Sequence, residues 1–123
     1  MKTVKLYPAS SPDTAVTVRY CDGFFTRLRG LMFTRSLPVD GGILLVDSRE
    51  SKSNAAIHMM FMNFDITVLW LDKDGVVVDK ALAKRWRPWY MPKQPAQYVV
   101  ELHQDRFDDY AIGERLVWEG LIK

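Results

Sequence analysis

The sequence is poor in the residues that bind metals or form covalent cross-links. It has one cysteine, Cys21, and two histidines among 123 residues. A single cysteine cannot form an internal disulfide, and so few Cys and His residues do not supply a zinc-binding pattern. We therefore predict no metal and no other cofactor. Cys21 ends an apparent strand, VTVRYC, which favours a structural role in a protein compatible with a reducing compartment.

Long apolar runs are also missing. A membrane span needs roughly 20 predominantly apolar residues. The most hydrophobic stretch, IHMMFMNFDITVLWLD at residues 57–72, is interrupted by the polar residues His58, Asn63, Asp65 and Thr67. No apolar run follows the lysines of the N-terminal MKTVKLYPASSP, so no signal peptide is indicated. We expect no membrane association and a cytoplasmic location.

Neither sign of charge dominates. Seventeen Lys and Arg residues face fifteen Asp and Glu residues, which leaves a net charge of +2 and a pI near 8.7. That balance is too mild to predict nucleic-acid binding from charge alone. The 48% hydrophobic content instead fits an ordinary globular protein.

Several short strands are predicted along the chain. Their β-branched or apolar segments lie at 2–7, 15–20, 43–46, 57–72, 76–82, 97–102 and 115–119. We expect segment 2–7 to be an edge strand paired with 15–20, a kink or bulge at 63–65, and a hairpin loop at DKDG. One short amphipathic helix is predicted over Gly23–Phe33, and one helical turn around Asp105. The fold class is therefore mainly β: a single domain, 1–123, built as a sandwich or barrel of about eight short strands.

A basic and aromatic segment stands out between Lys80 and Val100. It contains Trp86, Trp89, Tyr90 and Met91 among its cations and has no acidic residue. Flat rings beside guanidinium groups can stack on a ligand, and the cations can pair with phosphate or carboxylate. The alternative is a proline-rich loop whose Trp rings cover one end of the core while its cations face water. The positive residues of the segment are Lys80, Lys84, Arg85, Arg87 and Lys93.

A second basic run contains Arg27, Arg29 and Arg35. On a helix, Arg27 and Arg29 point about 200° apart, so a solvated helix face is the simpler interpretation. The functional interpretation is that Arg29 and Arg87 line one anionic pocket, since both lie in segments without acids.

His58 is the natural candidate for a general base or ligand-binding group. No second histidine or carboxylate accompanies it at metal-binding spacing. A hydrogen-bonded, partly buried side chain is the structural alternative. The enzymatic hypothesis is a hydrolase in which His58 is the base and Asp65 or Glu101 orients it.

Ordered segments of the chain resemble the domain of unknown function 192 family over roughly residues 16–119. They are RLRGLMFTRSLP, GGILLV, IHMMFM, ITVLWLDKDGVVV, RPW, YVVEL and IGERL. The resemblance implies a compact, mostly β domain and implies no particular activity.

Three departures from the family pattern stand out. Asp65-Ile66-Thr67 replaces Pro-Ile-Asp, Pro88-Trp89-Tyr90 replaces Pro-Trp-Arg, and His103-Gln104 follows YVVEL in place of a small residue and Gly. If the family has a site that uses that acid and that arginine, this chain lacks it or rebuilds it nearby.

The sequence favours a small non-catalytic binding module, and we assign no catalytic residue. Its ligand would be a small anionic or aromatic molecule or a protein partner. The hydrolase remains the first alternative and nucleic-acid binding the second. The predicted ligand-binding residues are Arg29, His58, Trp86, Arg87 and Trp89.

Overall fold

Seven strands form one sheet in the computed structural model of the chain, which describes residues 2–23, 31 and 35–120. A six-residue 3-10 helix, Gln104–Asp109, follows the sixth strand and confirms the helical turn predicted around Asp105. The strands are β1 (Thr3–Pro8), β2 (Val16–Cys21), β3 (Gly42–Ser51), β4 (Ile66–Leu71), β5 (Val77–Ala83), β6 (Ala96–His103) and β7 (Leu116–Gly120).

The strand order is β5-β4-β6-β3-β2-β1-β7. All neighbouring strands are antiparallel except β2 and β3. The predicted pairing of the first two strands is confirmed, with Val4 opposite Val18. The prediction that the first strand is an edge is wrong, because β7 returns to pair along its other side.

The sheet curls until its two edge strands meet at one end. Val77 at the start of β5 donates its N–H to Glu114 O (2.8 Å) and accepts from Gly113 N (2.7 Å), just before β7. Leu116 N also donates to Gly75 O at 2.9 Å. The mainly β class is thus confirmed, as a partly closed barrel, and joining the edges removes much of their exposed hydrogen-bonding capacity.

Buried side chains form two clusters, one on each face of the sheet. Successive strand residues point to opposite faces, so Leu44, Val100 and Leu69 lie in one cluster and Ile43 and Val68 in the other. The second cluster is covered by loop residues that include Ala55, Met59 and Met62. Trp70 Nε1 fixes this cover by donating to Ala55 O at 2.7 Å.

The sequence predicted one kinked strand along the hydrophobic stretch 57–72, and this prediction is wrong. Only Ile66–Leu71 is a strand, and all six of its residues are buried. A turn in which Met62 N donates to Met59 O, followed along the chain by Asp65, separates it from residues 57–59. Those residues pair instead with the loop around Tyr90.

The hairpin at DKDG is confirmed as a turn. Asp72 Oδ1 accepts from Asp74 N at 2.8 Å and from Val76 N at 3.0 Å, and Gly75 adopts φ 85°. The predicted helix at Gly23–Phe33 falls largely on residues outside the described ranges. Within those ranges, no helix is long and apolar enough to cross a membrane.

Candidate binding surface

Two loops pair with each other beside the start of β4 and the end of β5. Ile57 and Tyr90 exchange backbone hydrogen bonds of 2.8 and 2.9 Å, and Met59 N donates to Arg87 O at 3.0 Å. Trp86 N in turn donates to Met59 O at 2.8 Å. We call residues 57–61 and 84–93 the paired loops. Prolines keep the second loop out of regular structure, so it uses these few hydrogen bonds instead.

Side chains fix the second loop at its base. Asp65 Oδ1 accepts from Arg85 N at 2.9 Å and from Arg85 Nε at 3.1 Å, and Lys84 Nζ lies 3.8 Å from Oδ2. The backbone hydrogen bond from Arg85 is the main reason that the pKa of Asp65 is lowered. Tyr90 Oη accepts from Lys84 N at 2.8 Å. The Asp65 carboxylate and the Tyr90 phenol therefore fix the first residues of the second loop and leave its outer residues exposed.

The other end of the loop is tied to β5. The buried Asp79 accepts from Lys80 N through Oδ1 and from Lys93 N through Oδ2, both at 2.9 Å. A carboxylate that accepts two backbone N–H groups is well compensated for burial. Residues 84–93 thus leave and rejoin the barrel at fixed points.

Large apolar side chains stand on the paired loops in contact with solvent. Of the seven exposed large hydrophobics among the described residues, four lie here: Phe61 (43% exposed), Trp86 (50%), Trp89 (58%) and Met91 (49%). Tyr90 alone among the loop's aromatic residues packs on the core. Such clustering of exposed apolar groups is typical of interaction sites. These four exposed apolar residues and four neighbouring cations together form what we call the basic-aromatic surface. The cations are Lys84, Arg85, Arg87 and Lys93.

Two residues of this surface have strained backbones. Phe61 (φ 62°) and Trp86 (φ 66°) are the two non-glycine residues with positive φ in the described part of the chain. Their rings meet edge to face, with centroids 5.3 Å apart and an interplanar angle of 63°. This conformation costs a bulky residue about 1–2 kcal/mol, so the surrounding hydrogen bonds must enforce it.

The cations of the surface are unequally compensated. Lys84 and Arg85 share the Asp65 carboxylate. Arg87 lies over the Tyr90 ring at 5.3 Å, and no carboxylate in the described ranges pairs with Arg87 or Lys93. The surface therefore presents two uncompensated positive charges among its rings.

His58 lies on the same paired loops, between the buried residues Ile57 and Met59. The antiparallel register makes Trp89 its neighbour, one residue beyond the Ile57–Tyr90 bridge. His58 Nδ1 accepts from Met60 N at 3.2 Å. The neutral ring consequently carries its proton on Nε2, and its one ring lone pair, on Nδ1, is engaged by the Met60 amide.

The carboxylates proposed to orient His58 are engaged elsewhere. Asp65 binds Arg85, and Glu101 is buried on β6, where desolvation raises its pKa to about 7 against the opposing charge of Arg19. Burial likewise raises the pKa of the Cys21 thiol. No His58–carboxylate hydrogen bond exists among the described residues, so the base-and-orienter arrangement is not assembled there.

The positions that depart from the family pattern have structural contacts in this chain. Thr67 is fully buried and donates its hydroxyl to Gln104 O at 3.2 Å. Tyr90 closes the loop entry, and Asp65 anchors Arg85. Position 67 of this chain thus carries no acid, and the nearby Asp65 carboxylate binds the neighbouring loop.

A small pocket of about 150 Å³ opens on the far side of Asp65. His103 in its wall accepts through Nδ1 from Asp105 N at 3.0 Å. No group of three or more His, Cys, Asp or Glu residues that could hold a metal ion occurs in the described ranges. The pocket is lined by Arg35, Ser36, Leu37, Phe64, Asp65, His103 and Gln104.

Four of the five predicted ligand-binding residues lie together on the paired loops: His58, Trp86, Arg87 and Trp89. Arg29, and Arg27 beside it, lie outside the described residues, so the joint pocket of Arg29 and Arg87 stays a prediction. Sequence reasoning missed Phe61, whose exposure depends on its positive φ. No signal in the sequence marks that conformation at a phenylalanine.

The fold and this surface define a small, mainly β domain with a curled seven-stranded sheet and an exposed basic-aromatic loop pair. The chain belongs to the DUF192 family, described as "Uncharacterized ACR, COG1430", whose model matches residues 7–118. This confirms the family resemblance seen in the sequence.

Archaeal relatives extend along most of the chain. A UPF0127 protein of Pyrococcus furiosus is 36% identical over 89% of this chain and 93% of its own length. A UPF0127 protein of Thermococcus kodakarensis is 45% identical over 68% of this chain, but that match spans only 52% of the relative. The chain thus spans about half of the length of some relatives and nearly all of another.

Two solved structures share the fold. A chain from Sinorhizobium meliloti, described as a candidate transcription regulator, has a TM-score of 0.82 and 22% identity, with 95% of this chain and 92% of that chain covered. A protein of unknown function from Novosphingobium aromaticivorans has a TM-score of 0.78 and 16% identity, with 94% and 84% covered. At these identities the likeness extends to the fold alone.

Proposed function

We propose that this protein is a non-catalytic binding module that holds its ligand or partner at the basic-aromatic surface. The observation that carries the proposal is the strained and solvent-exposed pair Phe61 and Trp86. Strain persists at positions where the surrounding structure enforces it, and such positions cluster at binding sites. A purely structural loop would gain stability by burying those rings or relaxing their backbones.

The chemistry of the surface supports binding more than catalysis. Exposed rings supply apolar contact area, and Arg87 and Lys93 supply positive charge without a carboxylate partner among the described residues. His58 carries its neutral-state proton on Nε2 and can donate a hydrogen bond there. These groups suit a ligand that combines negative charge with an apolar or aromatic part. In our proposal the ligand is met in the cytoplasm.

Tryptophan fluorescence provides a direct test. The chain has four tryptophans, of which Trp70 is buried and Trp118 packs against Tyr98, so Trp86 and Trp89 should report ligand contact. We expect a saturable change of emission with members of a panel of anionic aromatic metabolites and acidic peptides. The Trp89→Phe variant should lose much of that change, whereas Trp118→Phe should keep it.

Two results would contradict the proposal. One is an emission spectrum that no member of the panel alters in the wild-type protein. The other is a saturable change that is equally large when both Trp86 and Trp89 are replaced by Phe, because the ligand would then bind elsewhere.

A further inference from the structure

We infer that the basic-aromatic surface binds an acidic peptide segment of another protein, with an aromatic or branched apolar side chain as its anchor. This inference rests on the proposed function and narrows the class of ligand. Shape, charge and ring geometry each favour a peptide over the other ligands that such a surface could attract.

Among the residues that the structure describes, shape argues against a small molecule. Sites for small molecules are typically concave, of about 300–1,000 Å³, and bury most of their ligand. The exposed rings instead project from the paired loops, each about half accessible. The pocket near Asp65 is smaller, about 150 Å³, and none of the four apolar surface residues lines it. A partner that covers the paired loops from outside can contact such projecting side chains without a deep cavity.

Charge argues for carboxylates rather than a phosphate backbone. Asp65 already offsets part of the charge of Lys84 and Arg85, which leaves Arg87 and Lys93. Proteins that bind nucleic acid commonly neutralise several phosphates with as many cations. Two uncompensated cations match one or two Asp or Glu side chains of a partner, and the Asp65 carboxylate would repel a denser run of negative charge.

Ring geometry leads to the same preference. Bases stack on free aromatic faces, but Trp86 already meets Phe61 edge to face, and Arg87 covers a face of Tyr90. Rings that meet at an angle offer less free flat area to a base than isolated rings do. Their exposed edges, and the exposed Trp89, can still pack against an apolar side chain of a peptide.

The surface is also held in place before binding. The anchors at Asp65, Tyr90 and Asp79 fix both ends of the second loop. Fewer residues must then be ordered when a partner binds, which favours affinity from a small contact area. Trp and Arg residues in such surfaces usually carry most of the binding energy, and here these are Trp89 and Arg87.

A displayed library of random twelve-residue peptides tests the inference on the whole chain. Selection on the wild-type protein should enrich peptides that carry acidic residues next to Trp, Phe, Leu or Ile. Synthetic copies of the enriched peptides, measured by fluorescence anisotropy, should bind with affinity at least tenfold weaker to Arg87→Gln and to Trp89→Ala. Both residues are exposed, so these variants should fold, and circular dichroism checks that they do.

Matched controls separate charge from composition. Lys73→Gln removes one exposed cation from the hairpin at the opposite end of β5 and should leave the affinity unchanged. Versions of the enriched peptides with Glu and Asp changed to Gln and Asn should lose binding. A single-stranded oligothymidine is measured beside them, at low and at physiological salt.

The outcomes distinguish this inference from the proposed function. Enriched peptides without an acidic bias, or tighter binding of the oligonucleotide that still depends on Trp89, would overturn the peptide assignment and leave the surface as the binding site. Small aromatic anions that bind while no peptide is enriched would do the same. Enriched peptides that bind Arg87→Gln and Trp89→Ala as tightly as wild type would overturn both.

Discussion

Phe61 and Trp86 come from different loops, yet both adopt positive φ and their rings meet edge to face at 5.3 Å. The contact explains how two unfavourable conformations can persist together. Each ring limits the space into which the other could relax, and the hydrogen bond from Trp86 N to Met59 O connects the two backbones. The pair therefore combines an unfavourable backbone with a stabilising ring contact.

Replacing Trp86 by glycine should separate those two effects. Glycine adopts positive φ without strain, a gain of about 1–2 kcal/mol, while the lost ring contact costs about 0.5–1.5 kcal/mol. We therefore expect the free energy of unfolding in urea to change by no more than about 1.5 kcal/mol, while ligand binding is lost. The matched variant Trp89→Gly, at a residue without positive φ, should lose binding too and should gain no stability. A large destabilisation of Trp86→Gly alone would show that its ring serves the fold.

Asp65→Asn should loosen the entry of the second loop. The variant loses the charge that pairs with Arg85 and Lys84 but keeps the shape of the side chain. We expect faster hydrogen exchange at the Arg85 amide and a loss of about 1.5–3 kcal/mol of stability, the usual range for hydrogen bonds to a charged group. Asp109→Asn is the control, since Asp109 pairs with Arg106 on the 3-10 helix surface and not with the second loop. Equal exchange at Arg85 in both variants would refute the anchoring role.

Glu101 should make stability depend on pH. Burial raises its pKa from 4.5 to about 7, so between these values the folded protein holds a proton that the unfolded chain releases. The free energy of unfolding should therefore fall as pH rises from about 4.5 to 7, by roughly 3 kcal/mol in all, and should level off above pH 7.

Glu101→Gln isolates that contribution. The variant should match wild type near pH 4 and should exceed it in stability at pH 8. Urea unfolding at several pH values measures the difference in unfolding free energy between the variant and wild type. The contributions of all other titrating groups cancel in this difference. A difference that does not change with pH would show that the Glu101 carboxyl has the same pKa in the folded and the unfolded chain, with Arg19 offsetting the effect of burial.

Two glycines with positive φ allow the barrel closure to be tested. Gly75 (φ 85°) has Leu116 O only 2.7 Å from the position of an added Cβ, whereas nothing lies within 4 Å of the same position at Gly113 (φ 97°). Both alanine variants should lose about 1 kcal/mol through backbone strain. Gly75→Ala should lose at least about 2 kcal/mol, because it also forces apart the hydrogen bond from Leu116 N to Gly75 O. Similar melting temperatures for the two variants would mean that the edge strands β5 and β7 do not pack tightly where Gly75 meets Leu116.

The sequence predicted those parts of the fold that depend on neighbouring residues. Alternation marked β1 and β2 and their pairing, and Asp72 and Gly75 marked the hairpin. It failed at residues 57–65, where apolar content on both faces resembled a buried strand. The sheet does have a buried cluster on each face in this region, and β4 lies between the two clusters. Residues Met59 and Met62, however, cover the sheet from a loop.

Long-range pairing was beyond the reach of local patterns. The edge position was assigned to β1 because no local feature reveals that β7 returns to it from over a hundred residues away. For the candidate site, cations and rings without acids mark segment 84–93 in the sequence. Its partner loop could not be foreseen, because the pairing of Ile57 with Tyr90 depends on the tertiary fold.

The two fixed ends of the second loop have a consequence for how members of such a family can diverge. Asp79 and Tyr90 hold the stem, and the outward-facing Trp89 and Met91 take no part in that bonding. Substitutions at the tip can therefore accumulate while the barrel keeps its register and stability. A lineage could in this way exchange one partner for another over evolutionary time, with the same architecture serving as a constant frame for a replaceable recognition sequence.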